Sequence, residues 1–132
     1  MTKKLLLKNI LFGFLTWIIP FGISFFFYKP GGELSVPYDL FKSIMIVVGS
    51  LTGCYFLFRY FNLLNSNYVK NGLIIGLTWL SINIILDVFI LMPIMKINFS
   101  CYFMTIGLRY FVIPVMSITI GYLLNNKTLQ SK

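Results

Sequence analysis

The chain has 132 residues, of which 58% are hydrophobic and only 11% carry charge. An average soluble domain is about 45–50% apolar and about 25% charged, so this chain has too few polar residues to cover a water-facing surface. These values exclude a soluble globular domain, a disordered chain and a nucleic-acid-binding module. They predict an all-α integral membrane protein.

Four apolar stretches are long enough to cross a bilayer, which takes about 20 residues per helix. They cover approximately residues 9–28, 40–61, 72–95 and 101–124. The first stretch exceeds the apolar region of about 7–15 residues in a cleavable signal, and no small-residue cleavage pattern follows it, so we expect it to be retained. The sequence therefore predicts one domain, residues 1–132, in which four transmembrane helices form an up-down bundle.

The basic residues predict the orientation of this bundle. Four spans place both termini on one side of the membrane. That side carries seven basic residues and no acidic one: Lys3, Lys4, Lys8, Arg59, Lys70, Lys127 and Lys132. The other side carries Lys29, Lys42 and Lys96, together with Glu33 and Asp39. Because basic loops tend to stay in the cytoplasm, we expect both termini there and the protein in the cell membrane.

Two segments of the chain resemble each other at an offset of 62 residues, one beginning at Lys8 and the other at Lys70. Both begin with Lys-Asn and end with Thr-Trp, so that Trp17 and Trp79 occupy matching positions. We interpret the chain as two duplicated two-helix hairpins; chance similarity between two helices that start in the cytoplasm is the alternative. Each Trp lies about 13 Å along its helix from its Lys, so we expect both indoles to point into the bundle and to find a hydrogen-bond acceptor.

Each span also carries one face of small or polar residues at helical spacing, and we expect the four faces to meet in the bundle core. In chain order these are Asn9, Gly13, Thr16, Pro20 and Ser24; Ser43, Val47, Ser50 and Cys54; Trp79, Asn83 and Asp87; and Tyr102, Thr105 and Arg109. Helix packing alone accounts for small and hydroxyl residues in such faces. It does not account for ionisable ones, which are costly inside a membrane and mark functional candidates.

Asp87 and Arg109 are the only acid and the only base deep inside the predicted spans. Both lie about 12 Å from the outer face, on consecutive antiparallel helices. We predict that they form a pair, with Asn83 close enough to hydrogen-bond one of them. The pair either staples the third helix to the fourth or lines a polar cavity, with Trp79 and Thr105, that binds or relays a solute.

Nothing in the chain resembles an enzyme site. There is no His, no helix with two carboxylates and no Gly-rich phosphate loop, and Cys54 and Cys101 lie at different predicted depths, so they form neither a disulfide nor a metal site. We therefore expect no catalysis, no metal, no cofactor and no nucleic-acid partner.

Two functions remain open. The chain is either a small-solute or ion transport or permeation protein, or a non-transporting membrane module that assists, anchors or regulates a partner membrane protein or a lipid-pathway enzyme. The expected partners are the lipid bilayer and either a second copy of the chain or another membrane protein. The sequence names no small-molecule ligand.

Overall fold

The computed structural model describes residues 2–132, and the regular secondary structure among them is helical, apart from an isolated bridge between Tyr28 and Leu34. The helices are α1 (Lys3–Ser24), α2 (Tyr38–Phe61), α3 (Tyr68–Leu86), α4 (Met92–Met95), α5 (Phe99–Thr105) and α6 (Val112–Gln130). Four helical segments are long and apolar enough to cross a membrane: Lys3–Phe27, Tyr38–Phe61, Tyr68–Met95 and Gly107–Gln130. The prediction of an all-α chain with four such segments is confirmed, and three of the four lie close to the predicted spans.

The third segment changes its helical geometry at Asp87. Residues Asp87–Leu91 form a π-helix, in which the N–H of Met92 bonds to the carbonyl of Asp87. Pro93 follows at the start of α4, directly after the π-helical turn. A π-helical turn is rare and is found frequently at functional sites.

The fourth segment differs most from its prediction as one helix over residues 101–124. The short helix α5 ends at Thr105, Ile106 leaves helical geometry at φ −128° and ψ −55°, and Gly107–Phe111 form a 3₁₀-helix before α6 begins. Pro114 lies in the first turn of α6, where it is tolerated. The fourth segment that is long and apolar enough to cross a membrane therefore begins at Gly107, and α5 precedes it as a separate helix.

Among the long helices, α1 packs on α2 and on α3, α3 packs on α6, and α2 touches α6. Between α1 and α2, the Phe12 ring lies 5.2 Å from the Phe56 ring, and the Tyr60 hydroxyl donates to the carbonyl of Leu5 at 3.1 Å. The apolar core consists of Phe56, Leu57, Tyr60, Phe61, Leu64, Ile75 and Trp79. These large side chains contribute van der Waals contacts to the packing of the helices.

The closest helix contact is between α3 and α6. A Cβ atom placed on Gly72 would lie 2.7 Å from the carbonyl oxygen of Ser117, and one on Gly76 would lie 2.6 Å from the Cα of Pro114. The Ser117 hydroxyl donates to the carbonyl of Gly72 at 2.7 Å. Gly72 and Gly76 form the small-xxx-small pattern that lets membrane helices approach backbone to backbone.

The predicted inward face of the second span is wrong. Its four members are all exposed: Ser43, Val47, Ser50 and Cys54. Helix α2 instead buries the face that carries Phe56 and Leu57, because large side chains gain more from packing than small ones do. The hydroxyls of Ser43 and Ser50 bond to carbonyls one turn earlier in α2, so neither needs a partner in the core.

Candidate functional site

A row of buried polar side chains joins α1 to α3. At one end of the row, the Trp79 indole Nε1 donates to both the backbone carbonyl and the side-chain Oδ1 of Asn9, at 2.9 and 2.8 Å. Trp79 is 0% exposed and Trp17 is 4% exposed. The prediction that both indoles point inward to an acceptor is confirmed for Trp79 here, and Trp17 confirms it at the other end of the row.

The middle of the row is formed by Thr16 and Asn83, both buried. The Asn83 amide Nδ2 donates to the Thr16 hydroxyl at 3.2 Å and to the carbonyl of Trp79 at 2.8 Å. The Thr16 hydroxyl in turn donates to the carbonyl of Gly13 at 2.6 Å. Asn83 therefore bonds to α1 and to its own helix, and its predicted bond to Asp87 or Arg109 is not formed.

The other end of the row is Asp87, whose side chain is only 1% exposed. The Trp17 indole Nε1 donates to Oδ1 of Asp87 at 2.6 Å, and the Tyr102 hydroxyl donates to Oδ2 at 2.7 Å. The Tyr110 hydroxyl faces the same carboxyl group as a further hydrogen-bonding partner. Donors from α1, from α5 and from the 3₁₀-helix therefore converge on one carboxyl group of the third segment.

The register of this row bears on the internal repeat. Trp17 bonds to Asp87 and Trp79 bonds to Asn9, and each pair is 70 residues apart in the chain. In an exact repeat with its offset of 62 residues, each residue of α1 would lie level with the residue 62 positions later in α3. The bonded residues are instead 70 positions apart, so α3 is shifted along its axis by about two turns relative to α1. The duplication stays a prediction, and the two Trp residues have acceptors of different kinds.

The predicted ion pair between Asp87 and Arg109 is not formed. Within residues 2–132 no Lys or Arg nitrogen lies within 4.0 Å of an Asp or Glu oxygen, and the buried Nη2 of Arg109 has no hydrogen-bond partner. The prediction assumed one continuous helix that keeps Tyr102, Thr105 and Arg109 on one face. The break at Ile106 changes the phase of that face, so Tyr102 reaches Asp87 and Arg109 does not.

The energetics of burial agree with this arrangement. A neutral donor satisfies a buried carboxyl group without the cost of removing a second charge from water. Tyr102 and Trp17 are neutral donors that carry large apolar rings, so they satisfy the oxygens of Asp87 and fill volume as well. Gly107 makes room for this packing, because a Cβ there would lie 3.2 Å from Cε1 of Tyr102.

Thr105 lies outside the network. Its hydroxyl donates to the carbonyl of Cys101, one turn earlier, at 2.7 Å. Of the five predicted site residues, the structure therefore brings together Trp79, Asn83 and Asp87 along one row and leaves Thr105 and Arg109 apart from it.

Two residues of the site were missed by the sequence analysis, Tyr110 and Gly107. Tyr110 follows Arg109 directly, and its role depends on the 3₁₀ geometry of Gly107–Phe111. The sequence offered only a weak signal for Tyr110, because Arg109 and Tyr110 are adjacent and either side chain could donate a hydrogen bond to Asp87. Only the break at Ile106 decides between them.

Both oxygens of Asp87 accept hydrogen bonds from the chain, whereas the buried Nδ2 of Asn9 at the other end of the row has no hydrogen-bond partner among residues 2–132. Within the described residues no group of three His, Cys, Asp or Glu side chains could hold a metal ion. Two shallow pockets lie at the other end of the bundle, both lined by Asn67 and Lys70, and neither is lined by Asp87. Because its side chain is only 1% exposed, Asp87 is sealed by its own donors and by neighbouring helices.

Comparisons of the chain with models of protein families, with curated proteins and with solved structures give no match. Functional proposals for the chain therefore rest on its own residues and contacts.

Proposed function

We propose that the chain is a multi-pass protein of the cell membrane, with its four long helical segments in an up-down bundle and both termini in the cytoplasm. The contacts between α3 and α6 support an up-down arrangement. Gly72 lies against Ser117 and Gly76 lies against Pro114, so the two helices run antiparallel. The excess of basic residues at one end supports the orientation.

Reporter fusions test the orientation. A reporter that is active only in the cytoplasm should be active when fused after Lys132 and inactive when inserted at Gly32, because the basic residues hold the termini and the loop near Lys70 inside. A reporter that is active only outside the cell should give the reverse pattern. External activity of the fusion at Lys132 would contradict the orientation.

For the activity, we propose that the chain is a non-transporting membrane module that assists, anchors or regulates a partner membrane protein or a lipid-pathway enzyme. The observation that carries this proposal is the closure of the Asp87 network: the carboxyl group is 1% exposed and both its oxygens accept hydrogen bonds. A deep acid that serves transport must meet water or a solute, whereas this one meets Trp17 and Tyr102. The partner is either a second copy of the chain or another membrane protein. The contacts with this partner then lie in the plane of the bilayer.

Flux through reconstituted vesicles tests this proposal. Vesicles that contain the purified protein should pass protons and potassium ions no faster than protein-free vesicles, because no open polar path reaches Asp87. The matched control is Asp87→Asn, which should behave as the wild type does. If the wild type carries a flux that Asp87→Asn loses, the proposal of a non-transporting module is contradicted and transport is supported.

Small-solute or ion transport is the second candidate, and one observation favours it. The third segment changes to a π-helix at Asp87, and the chain breaks at Ile106 close to the same carboxyl group. Transporters place their binding sites at interrupted helices near the middle of the membrane. The measurement of flux decides between the two candidates.

A further inference from the structure

A pocket of about 520 Å³ lies between α3 and α6, at the end of the bundle that holds both chain termini. Its volume is within the range of about 300–1,000 Å³ that is typical of small-molecule sites. Leu73 is 46% exposed and Val69 is 36% exposed, so the pocket opens on the lateral surface of the bundle. Three of its lining residues are polar and three are apolar: Asn67, Lys70 and Asn125, and Val69, Leu73 and Ile118.

The polar and apolar residues of this α3–α6 pocket are separated along the helix axes. Because α3 and α6 run antiparallel, Asn67 and Asn125 both lie at the end of the bundle, with Lys70 less than one turn further in. Leu73 and Ile118 lie about 9–10 Å deeper along the same two helices. This order matches that of a phospholipid, whose polar headgroup lies at the membrane surface and whose acyl chains extend into the hydrocarbon core.

The charge at this end of the bundle favours an anionic ligand. The end carries none of the three acids of the chain and seven of its eleven Lys and Arg residues: Lys3, Lys4, Lys8, Arg59, Lys70, Lys127 and Lys132. Clusters of bases beside membrane-crossing helices attract anionic lipids. Lys70 is the base that lines the pocket, and its ammonium group can bind a phosphate oxygen as a compact charge.

We propose that the α3–α6 pocket binds one anionic glycerophospholipid. Lys70 pairs with the phosphate, the amides of Asn67 and Asn125 donate hydrogen bonds to the headgroup, and an acyl chain lies along Leu73 and Ile118. A lipid fits this pocket better than a second copy of the chain, because two copies would bring two strongly basic ends together. The inference goes beyond the proposed module: it depends on membrane insertion, but not on the Asp87 network, on transport or on the orientation of the bundle.

Native mass spectrometry of the detergent-purified full chain tests this site, because it counts the lipids that each protein molecule retains. The probes are phosphatidylglycerol and phosphatidylcholine with identical acyl chains, of which only the first has a net negative charge. We expect the wild type to retain one phosphatidylglycerol at concentrations at which phosphatidylcholine is not retained. Lys70→Gln should raise the half-saturating concentration of phosphatidylglycerol by about tenfold or more, the effect expected for loss of a charged hydrogen bond.

Two matched controls separate the pocket from the general charge and apolar character of the surface. Lys127 is exposed at the same end of the bundle, on the face of α6 opposite Asn125, and Lys127→Gln should retain phosphatidylglycerol as the wild type does. Leu73→Trp fills the apolar part of the pocket and should weaken retention. Leu123→Trp adds the same ring at a site on α6 that is 57% exposed and outside the pocket, and it should leave retention unchanged. Thermal unfolding of each variant in detergent checks that its fold is intact.

The outcomes separate the lipid from other occupants of the pocket. Equal retention of the two lipids by the wild type, or equal effects of Lys70→Gln and Lys127→Gln, would overturn the proposal. A dimer that retains no lipid and that Leu73→Trp dissociates would show that a second copy of the chain occupies the pocket instead. None of these results bears on the proposed module, which the measurement of flux tests separately.

Discussion

Asp87→Ala should lower the free energy of unfolding in detergent by about 2–4 kcal/mol, since a buried donor left without its acceptor costs about 1–3 kcal/mol. Three donors lose their acceptor in this variant: the indole of Trp17 and the hydroxyls of Tyr102 and Tyr110. Water cannot replace the lost oxygens, because the site is sealed. Hydrogen bonds between membrane helices average only about 0.6 kcal/mol, so most of the effect comes from stranded donors rather than from the bonds themselves.

Matched variants separate the hydrogen bonds from other effects. Asp87→Asn keeps an oxygen for Trp17 and places an amide near the Tyr102 hydroxyl, which can also accept, so it should lose less than half of what Asp87→Ala loses. Ser81→Ala removes an exposed hydroxyl from the same helix and should change stability by less than about 0.5 kcal/mol.

Coupling between the two partners provides the sharpest test of the Asp87 network. Asp87→Ala and Trp17→Phe break the same bond, so the double variant should lose less than the sum of the two single variants, with an interaction energy of about 0.5–3 kcal/mol. Arg109→Gln should give no such relief when combined with Asp87→Ala, because the two side chains form no ion pair. Additive losses for Asp87→Ala and Trp17→Phe would contradict the network.

The inward direction of both Trp residues could be predicted from the sequence because it follows from length alone. Nine residues of helix after a flanking Lys place an indole well below the interface, and an indole at that depth needs an acceptor. The sequence also identified Asn83 and Asp87 as neighbours on one face of a helix, since a spacing of four residues holds in any uninterrupted helix.

The partner of Asp87 could not be predicted in the same way. Its choice depends on the phase of the chain after Ile106, and a break of a single residue rotates everything that follows it. Gly107 and Pro114 mark such breaks in soluble proteins, but both residues are common in membrane helices that continue through them. The predicted orientation of α2 was wrong for a related reason. Each hydroxyl of its polar face, such as that of Ser50, can bond to the backbone of its own helix, so this face can point either to the core or to the outside.

The contact between α3 and α6 carried a signal that the sequence analysis did not use. Gly72 and Gly76 stand four residues apart on α3, the pattern of close membrane helix pairs, and Ser117 and Gly121 repeat that spacing on α6. Such a pattern does not name its partner helix. The structure adds that Gly72 faces Ser117, whereas Gly76 faces Pro114, and a Cβ on Gly121 would lie 2.5 Å from the carbonyl oxygen of Tyr68.

Gly76→Ala should therefore destabilise the bundle, whereas Gly49→Ala should not, although each adds one methyl group to a helix. At Gly76 the new Cβ would lie 2.6 Å from the Cα of Pro114, a backbone atom that cannot rotate away. Helix α6 must then move outward, which weakens the bond between Ser117 and Gly72. Overpacking of this kind costs about 1–3 kcal/mol.

Gly49 provides the control because, apart from its chain neighbours and the backbone of its own helix, no atom lies within 4 Å of a Cβ built there. Ala is also a better helix former than Gly by about 1 kcal/mol in water, so Gly49→Ala should leave stability unchanged or raise it. Unfolding in detergent measures both variants under the same conditions, and Gly76→Leu extends the series with a larger expected loss. If Gly76→Ala and Gly49→Ala are equally stable, then α3 and α6 do not approach as closely as Gly76 and Pro114 indicate, and the packing that positions the third and fourth segments must be different.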